Sequence, residues 1–178
     1  MDANDKKLGE LMLYIAGRSE CDPQFGATKL NKILFYSDFI MYSKRRVPIT
    51  GQEYMRLEKG PAPRRLVPVR DELTNEGWAV IKKTKYHGYN QNRLIALREP
   101  DLSLFTAEEI AEVDRVISEL ADYTGTQTST LSHLFVGWKA AGDKETIPYS
   151  TVFLSNREPT ADENQRGLKI AQRLATLQ

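Results

Sequence analysis

The stretch TKLNKILFYSDFIMYS, residues 28–43, decides the reading of the fold. Leu30, Ile33, Leu34, Phe35, Tyr36, Phe39, Ile40 and Met41 fall on nearly every side of a 3.6-residue repeat. A helix over 29–43 with that pattern must be buried on most of its surface. It therefore reads as the centre of a core, with the remaining elements arranged around it. Thr28 is placed to cap it. Asp38 falls in its middle, where a carboxylate is expected to bond a nearby backbone or basic group, since buried charges are normally paired.

The flanking sequence supplies the wrapping. Residues 5–18 read as an amphipathic helix with Leu8, Leu11, Met12 and Ile15 on one face, followed by a connector over 20–27. Residues 44–52 form a basic loop turning at Pro48 and Gly51. Residues 53–59 alternate, Met55 and Leu57 against Arg56 and Glu58, which predicts a half-buried strand stopped at Gly60-Pro61-Ala62-Pro63. A helix over 64–77 carries Leu66, Val69 and Leu73, with Gly77 as its stop and Pro68 delaying its start to near Val67. Residues 78–86 and 92–98 then read as a β-hairpin closed through HGYNQ. Helix followed by hairpin is the outline of a winged-helix unit.

The C-terminal part, 106–177, reads as helical. Thr106 and Glu109 form a capping box before a helix carrying Ile110, Val113, Ile117 and Leu120. A polar loop over 122–128 precedes a helix over 130–140 with Leu131, Leu134, Phe135 and Trp138. After a turn at Gly142-Asp143 and a short piece from Ile147 to Leu154, Thr160 caps a last helix with Leu168, Ala171 and Leu174 as its face. The fold class expected is mainly α with a small β component (α+β): one compact helical domain over 1–178 with a winged-helix-like hairpin.

Composition narrows the function. The 25 basic and 24 acidic side chains leave a net charge of +1, so there is no global pull toward nucleic acid or anionic membrane. The single cysteine, Cys21, cannot form an intrachain disulfide and suits a reducing compartment. The opening MDANDKKL has no signal-peptide pattern, and the apolar-rich run 33–42 is too short to span a bilayer. A cytoplasmic protein without a membrane partner is expected.

Catalytic constellations are sparse. One cysteine with His87 and His133 gives no closely spaced pair of metal ligands, and no phosphate-cradling glycine loop or GxSxG elbow occurs, so no cofactor is expected. Ser132 and His133 are sequence neighbours, but consecutive helical residues point about 100° apart. Cys21 lies between two acids, Glu20 and Asp22, a setting that does not activate a thiol nucleophile. No enzyme is predicted.

Binding is better represented. Arg64, Arg65 and Arg70 flank the helix before the hairpin, and Lys82, Lys83, Lys85 and Arg93 lie on it. In a winged helix these would face DNA, although Asp71, Glu72 and Glu76 balance them. The hairpin tip, residues 86–92, is rich in Tyr and Asn, a composition suited to a protein partner. Arg64, Arg65, Tyr86, His87 and Tyr89 are the candidate partner-contacting residues.

Two ordered segments carry a resemblance. KLNKILFYSD, residues 29–38, resembles the "K-L-x-K-L-L-Y-x-A-D" helix of SocA-like, Panacea-domain antitoxins. PITG, residues 48–51, continuing through Glu53 and Tyr54 to Lys59-Gly60-Pro61, resembles the family's "P-L-T-G … G-P" segment. With the next helix and hairpin the likeness spans residues 5–100. Residues 131–154, with Ser132-His133 and Pro148-Tyr149-Ser150, resemble the closing part of some members less specifically. Leu57 departs from the Trp that many members carry. The resemblance implies an antitoxin that neutralises a cognate toxin by direct binding, in one branch as an adaptor for a cytosolic protease. The alternative is a winged-helix-like DNA-binding autoregulator of a phage or mobile element. It carries over no catalytic residue. Leu30, Ile33, Leu34, Tyr36, Asp38, Gly51, Gly60 and Pro61 are the family signature, expected to be structural.

Overall fold

In the computed structural model, which describes residues 3–86 and 88–176, the helix α2 (Ala27–Arg45) runs through the middle of the molecule. Two aromatic or aliphatic clusters lie on its different sides. Leu30, Ile33, Leu34 and Met41 enter the main core with Leu8, Leu11, Met12 and Ile15 of α1 (Ala3–Arg18). Phe35 and Phe39 enter a second core with Tyr54 and Ile147. The all-round apolar pattern of residues 29–43 thus has a direct cause: both sides face hydrophobic partners.

The elements around α2 follow the sequence in order. α3 (Leu66–Asn75) packs on α1 and contributes Val69 and Leu73 to the main core. Pro68 occupies the first turn, where a missing N–H costs no helical bond. After Gly77 the Trp78 N–H bonds the Leu73 carbonyl at 2.9 Å, which ends the helix sharply. The hairpin β3 (Ala79–Tyr86) and β4 (Tyr89–Ala96) forms its own two-stranded antiparallel sheet along α1. A second, three-stranded sheet places β1 (Tyr54–Met55) between β2 (Ala62–Pro63) and β5 (Thr146–Ile147), all antiparallel. Pro63 is tolerated because β2 is an edge. α4 (Ala107–Glu119), α5 (Gly125–Ser132) and α6 (Val136–Ala140) complete the wrapping, with α7 (Ala161–Ala175) following. The architecture is mainly α with a small β component, as expected. The Thr106–Glu109 capping box forms, with both reciprocal bonds present.

Several local expectations are corrected. Thr28 does not cap α2; the cap position is Gly26 and Thr28 lies inside the helix. A Cβ at Gly26 would sit 2.5 Å from Gln91 Cγ, so packing of the hairpin, not capping, selects the residue there. The stretch 53–59 is paired over only two residues, and its sense is reversed: Gln52 and Tyr54 are buried, while Met55 and Leu57 are half-buried. Two buried aspartates explain the reversal, because Tyr54 and Gln52 donate to Asp38 and Asp5. The region read as a loop over 122–128 belongs mostly to α5, started by a second capping box, Thr124 with Gln127. The helix expected over 130–140 is therefore two short ones. The last helix is capped by Thr160 through Glu163, yet every described side chain of α7 is exposed, Leu168 at 65% and Ile170 at 58%. The Leu174 side chain lies outside the described residues.

These placements predict unequal contributions to stability. Phe39→Ala, which empties the centre of the aromatic cluster, is expected to cost about 3–5 kcal/mol in urea denaturation. A chain ending at Glu158, from which every described side chain removed is exposed, is expected to change stability by less than about 0.5 kcal/mol.

Candidate partner-binding site

The hairpin carries most of the residues that the sequence marked for binding. Its register pairs Tyr86 with Tyr89, so only two residues separate the paired positions, fewer than in the HGYNQ loop expected. Gly88 has φ +83°, which glycine adopts without the steric penalty of a Cβ. His87 lies outside the described residues, and so does the Tyr89 side chain. Ala79 and Leu94 fasten the base of the hairpin in the main core. Farther out, Arg93 donates to the carbonyls of Ser19, Glu20 and Asp22 and lies over the Phe25 ring. Arg93 therefore holds the hairpin to the α1–α2 connector. Lys82, Lys83 and Lys85 are exposed and have no acidic partner among the described residues. Tyr86 is half-buried.

Arg64 and Arg65 sit elsewhere. Arg64 pairs with Glu53 and donates to Thr146 Oγ1 at 3.1 Å. Arg65 donates twice to Oδ2 of the buried Asp5, at 2.7 and 3.0 Å. That bonding holds the Asp5 carboxyl below its ordinary pKa, the Arg65 hydrogen bond being the largest cause. Asp5 lies at the start of α1, whereas Arg93 grips the carbonyls just beyond its end. A 16-residue helix is about 24 Å long, so Arg65 and the Arg93 anchor of the hairpin lie at opposite ends of α1. The Arg64 and Arg65 side chains both keep about half their surface exposed. Arg70 is bonded to its neighbour Asp71.

The signature residues are interior. Leu30, Ile33 and Leu34 are core, and burial pushes the half-buried Tyr36 phenol up to about 12. Asp38 is fully buried and accepts from the Thr50 N–H at 2.7 Å, the Thr50 hydroxyl at 2.5 Å and the Tyr54 hydroxyl at 2.7 Å. Burial outweighs these donors and raises its pKa. Thus Asp38 bonds backbone and hydroxyls, with no basic group involved. Gly51 follows Thr50 with φ +67°. Gly60 has φ +93°, and a Cβ there would meet Ser132 Oγ at 2.2 Å and Lys32 Nζ at 2.7 Å, so glycine is required twice over. The Pro61 carbonyl accepts from Lys32 Nζ at 2.8 Å.

Two lysines of the signature helix were not singled out from sequence. Lys29 is buried and bonds Asp22 at 2.6 Å and the Ala121 carbonyl at 2.9 Å. Lys32 is equally buried, and desolvation pushes its amine down to about 7. Their i, i+3 spacing on an otherwise apolar helix was the available signal.

The residues considered for catalysis do not converge. Ser132 is fully buried and donates to the Ser129 carbonyl, while the His133 ring stacks on Trp138 at 4.0 Å. Cys21 is exposed on the α1–α2 connector. No group of three or more His, Cys, Asp or Glu among the described residues is placed to hold a metal ion. The groove between Lys6, Glu10, Glu72, Leu73 and Trp78 holds only about 170 Å³, below the usual ~300–1,000 Å³ of a small-molecule site. No described helix is long and apolar enough to cross a membrane.

Comparison with known proteins places this geometry in context. The family model described as "Antitoxin SocA-like, Panacea domain" matches residues 30–139, more than half of the 178-residue chain. No curated protein and no solved structure matches the chain.

The buried polar groups give two expectations. Asp38→Ala leaves three donors without their acceptor, each worth about 1–3 kcal/mol when buried, and should lower stability by at least 3 kcal/mol in denaturant titration. Lys32 has a folded pKa near 7, below its ordinary 10.5. The unfolded chain therefore binds more protons there, and stability should rise as pH increases above 7. Urea titrations at pH 7 and pH 9 should show this rise, and Lys32→Met should flatten it.

Proposed function

Because the chain belongs to the antitoxin SocA-like, Panacea-domain family, we propose that it acts in the cytoplasm as an antitoxin, neutralising a cognate toxin by direct protein–protein binding. The family match is the observation that carries this reading. The scattered Ser132, His133 and Cys21 are consistent with a protein that works by binding rather than by catalysis. The proposed contact surface is the hairpin tip with Tyr86, His87 and Tyr89, because tyrosines give large contact area at low entropy cost. Arg64 and Arg65 are a second proposed contact, through the exposed parts of side chains otherwise bonded within the chain. Delivery of the bound toxin to a cytosolic protease is a variant of the same function, since an adaptor must first bind its cargo.

A second reading, an autoregulatory DNA binder of a phage or mobile element, is favoured by one observation. Lys82, Lys83 and Lys85, without acidic partners among the described residues, lie on the hairpin that follows α3. Against it, Arg64, Arg65, Arg70 and Arg93 are all engaged within the protein. Specific duplex binding normally draws on several free cations at once.

The test is expression of the reading frame beside this chain's gene, alone and together with the chain. Growth arrest by the neighbour and its relief on co-expression are expected. A harmless neighbour, or toxicity that persists, would sink the antitoxin reading. Tyr86→Ala with Tyr89→Ala should weaken the complex by about 30-fold or more if the tip holds a binding hot spot. For the second reading, a promoter fragment should shift at low salt and stop shifting when the three lysines become Ala.

A further inference from the structure

Among the described residues, β3 pairs with β4 alone. β4 covers one edge over all eight residues, from Ala79–Ala96 to Tyr86–Tyr89, and the hairpin is a two-stranded sheet. No backbone group of another described element bonds to residues 79–85. Beyond the base, where α3 packs against the strand, the outer edge over residues 82–85 therefore carries amide N–H and carbonyl groups with no hydrogen bond to another described element. Such an edge is a template for another strand unless something deters it.

Here the deterrent is charge of one sign. Lys82, Lys83 and Lys85 span about 10 Å of strand, at ~3.3 Å per residue. All three are exposed, and none has an acidic partner among the described residues. Across the hairpin they face Arg93, Asn92 and Asn90, so β4 supplies no carboxylate. Lys83 and Lys85 lie on one face of the strand and Lys82 on the other. Val80, exposed at 43%, adds an apolar position near the base. A neutral or basic strand approaching this edge would bury or repel three ammonium groups, whereas an acidic one would neutralise them.

We propose that the outer edge of β3 is a strand-addition site that takes an acidic extended segment of a partner protein as a third strand. Main-chain hydrogen bonds supply the affinity, and carboxylates opposite Lys82, Lys83 and Lys85 supply the selectivity. The inference rests on the partner-binding reading above and adds to the proposed tip a contact along the neighbouring strand edge.

The experiment uses the full chain and a synthetic ten-residue peptide of five Glu and five Val, with a Lys and Val peptide of the same length as control. Amide hydrogen exchange followed by NMR should show at least a 10-fold gain in protection within residues 79–86 on adding the acidic peptide. The Lys/Val peptide should give none. Lys82→Glu, Lys83→Glu and Lys85→Glu together should weaken binding at least 10-fold, while the three Lys→Arg changes should retain it. Thermal unfolding checks that both variants remain folded. Protection outside 79–86, binding unaffected by the charge reversal, or no binding of the acidic peptide overturns the proposal. So does a 20-base-pair DNA duplex binding this hairpin at a salt concentration where the peptide does not. If co-expression relieves toxicity while the peptide fails, the antitoxin reading stands and this site falls alone.

Discussion

A helix surrounded by protein can carry charged side chains only where other segments supply their partners. α2 buries three, Lys29, Lys32 and Asp38, and each is satisfied by a different part of the chain. Lys29 reaches Asp22 in the α1–α2 connector and the carbonyl of Ala121 after α4. Lys32 reaches the Pro61 carbonyl. Asp38 reaches Thr50 and Tyr54. Four irregular segments are thereby fixed against one rod. Buried ionisable groups are poor sources of net stability, since desolvation offsets their bonds, but losing one partner strands the other in a dry site. The arrangement therefore specifies where the loops go more than it adds to stability.

The same constraint accounts for the small three-stranded sheet. Tyr54 must point inward to donate to Asp38, which sets the side of β1 that faces the core. β2 follows at once because the Gly60–Pro61 turn is tied to Lys32 and pressed against Ser132. β5 arrives from the far end of the sequence and places Ile147 beside Phe35, Phe39 and Tyr54. The segment before and after α6 is thus tied to the signature helix by packing, and Tyr149 adds a bond to the Gln52 carbonyl at 2.7 Å.

Arginines illustrate how tertiary context redistributes apparent function. Arg64, Arg65, Arg70 and Arg93 look alike in sequence, as a basic surface around a winged-helix outline. In the structure each is bonded within the chain. Arg65 neutralises a buried aspartate, and Arg93 collects three carbonyls at the α1–α2 connector. Of the basic side chains around that outline, those bonded to no acid or carbonyl among the described residues are the lysines of β3. A lysine is a flexible, strongly hydrated point charge, whereas the planar guanidinium suits several fixed acceptors at once.

Local physics was legible from sequence wherever period and neighbours decide the outcome. The apolar faces of α1 and α2, the Thr106–Glu109 cap, the stop at Gly77 and the existence of the hairpin all depend on residues within one or two turns of each other. The Thr124–Gln127 cap had the same kind of signal, but the polar helix behind it buries Thr128 and Ser132 rather than an apolar stripe, so periodicity concealed it. What the sequence could not fix is anything set by a distant partner. The inward turn of Tyr54 depends on Asp38, the commitment of Arg65 on Asp5, and the need for glycine at position 60 on Lys32 and Ser132. By itself, then, the sequence determined a buried signature helix and the elements around it, because helical and strand periods are local. Only the tertiary structure decided which charges hold the frame and which remain available to a partner, because pairing is settled by groups that meet after the chain has folded.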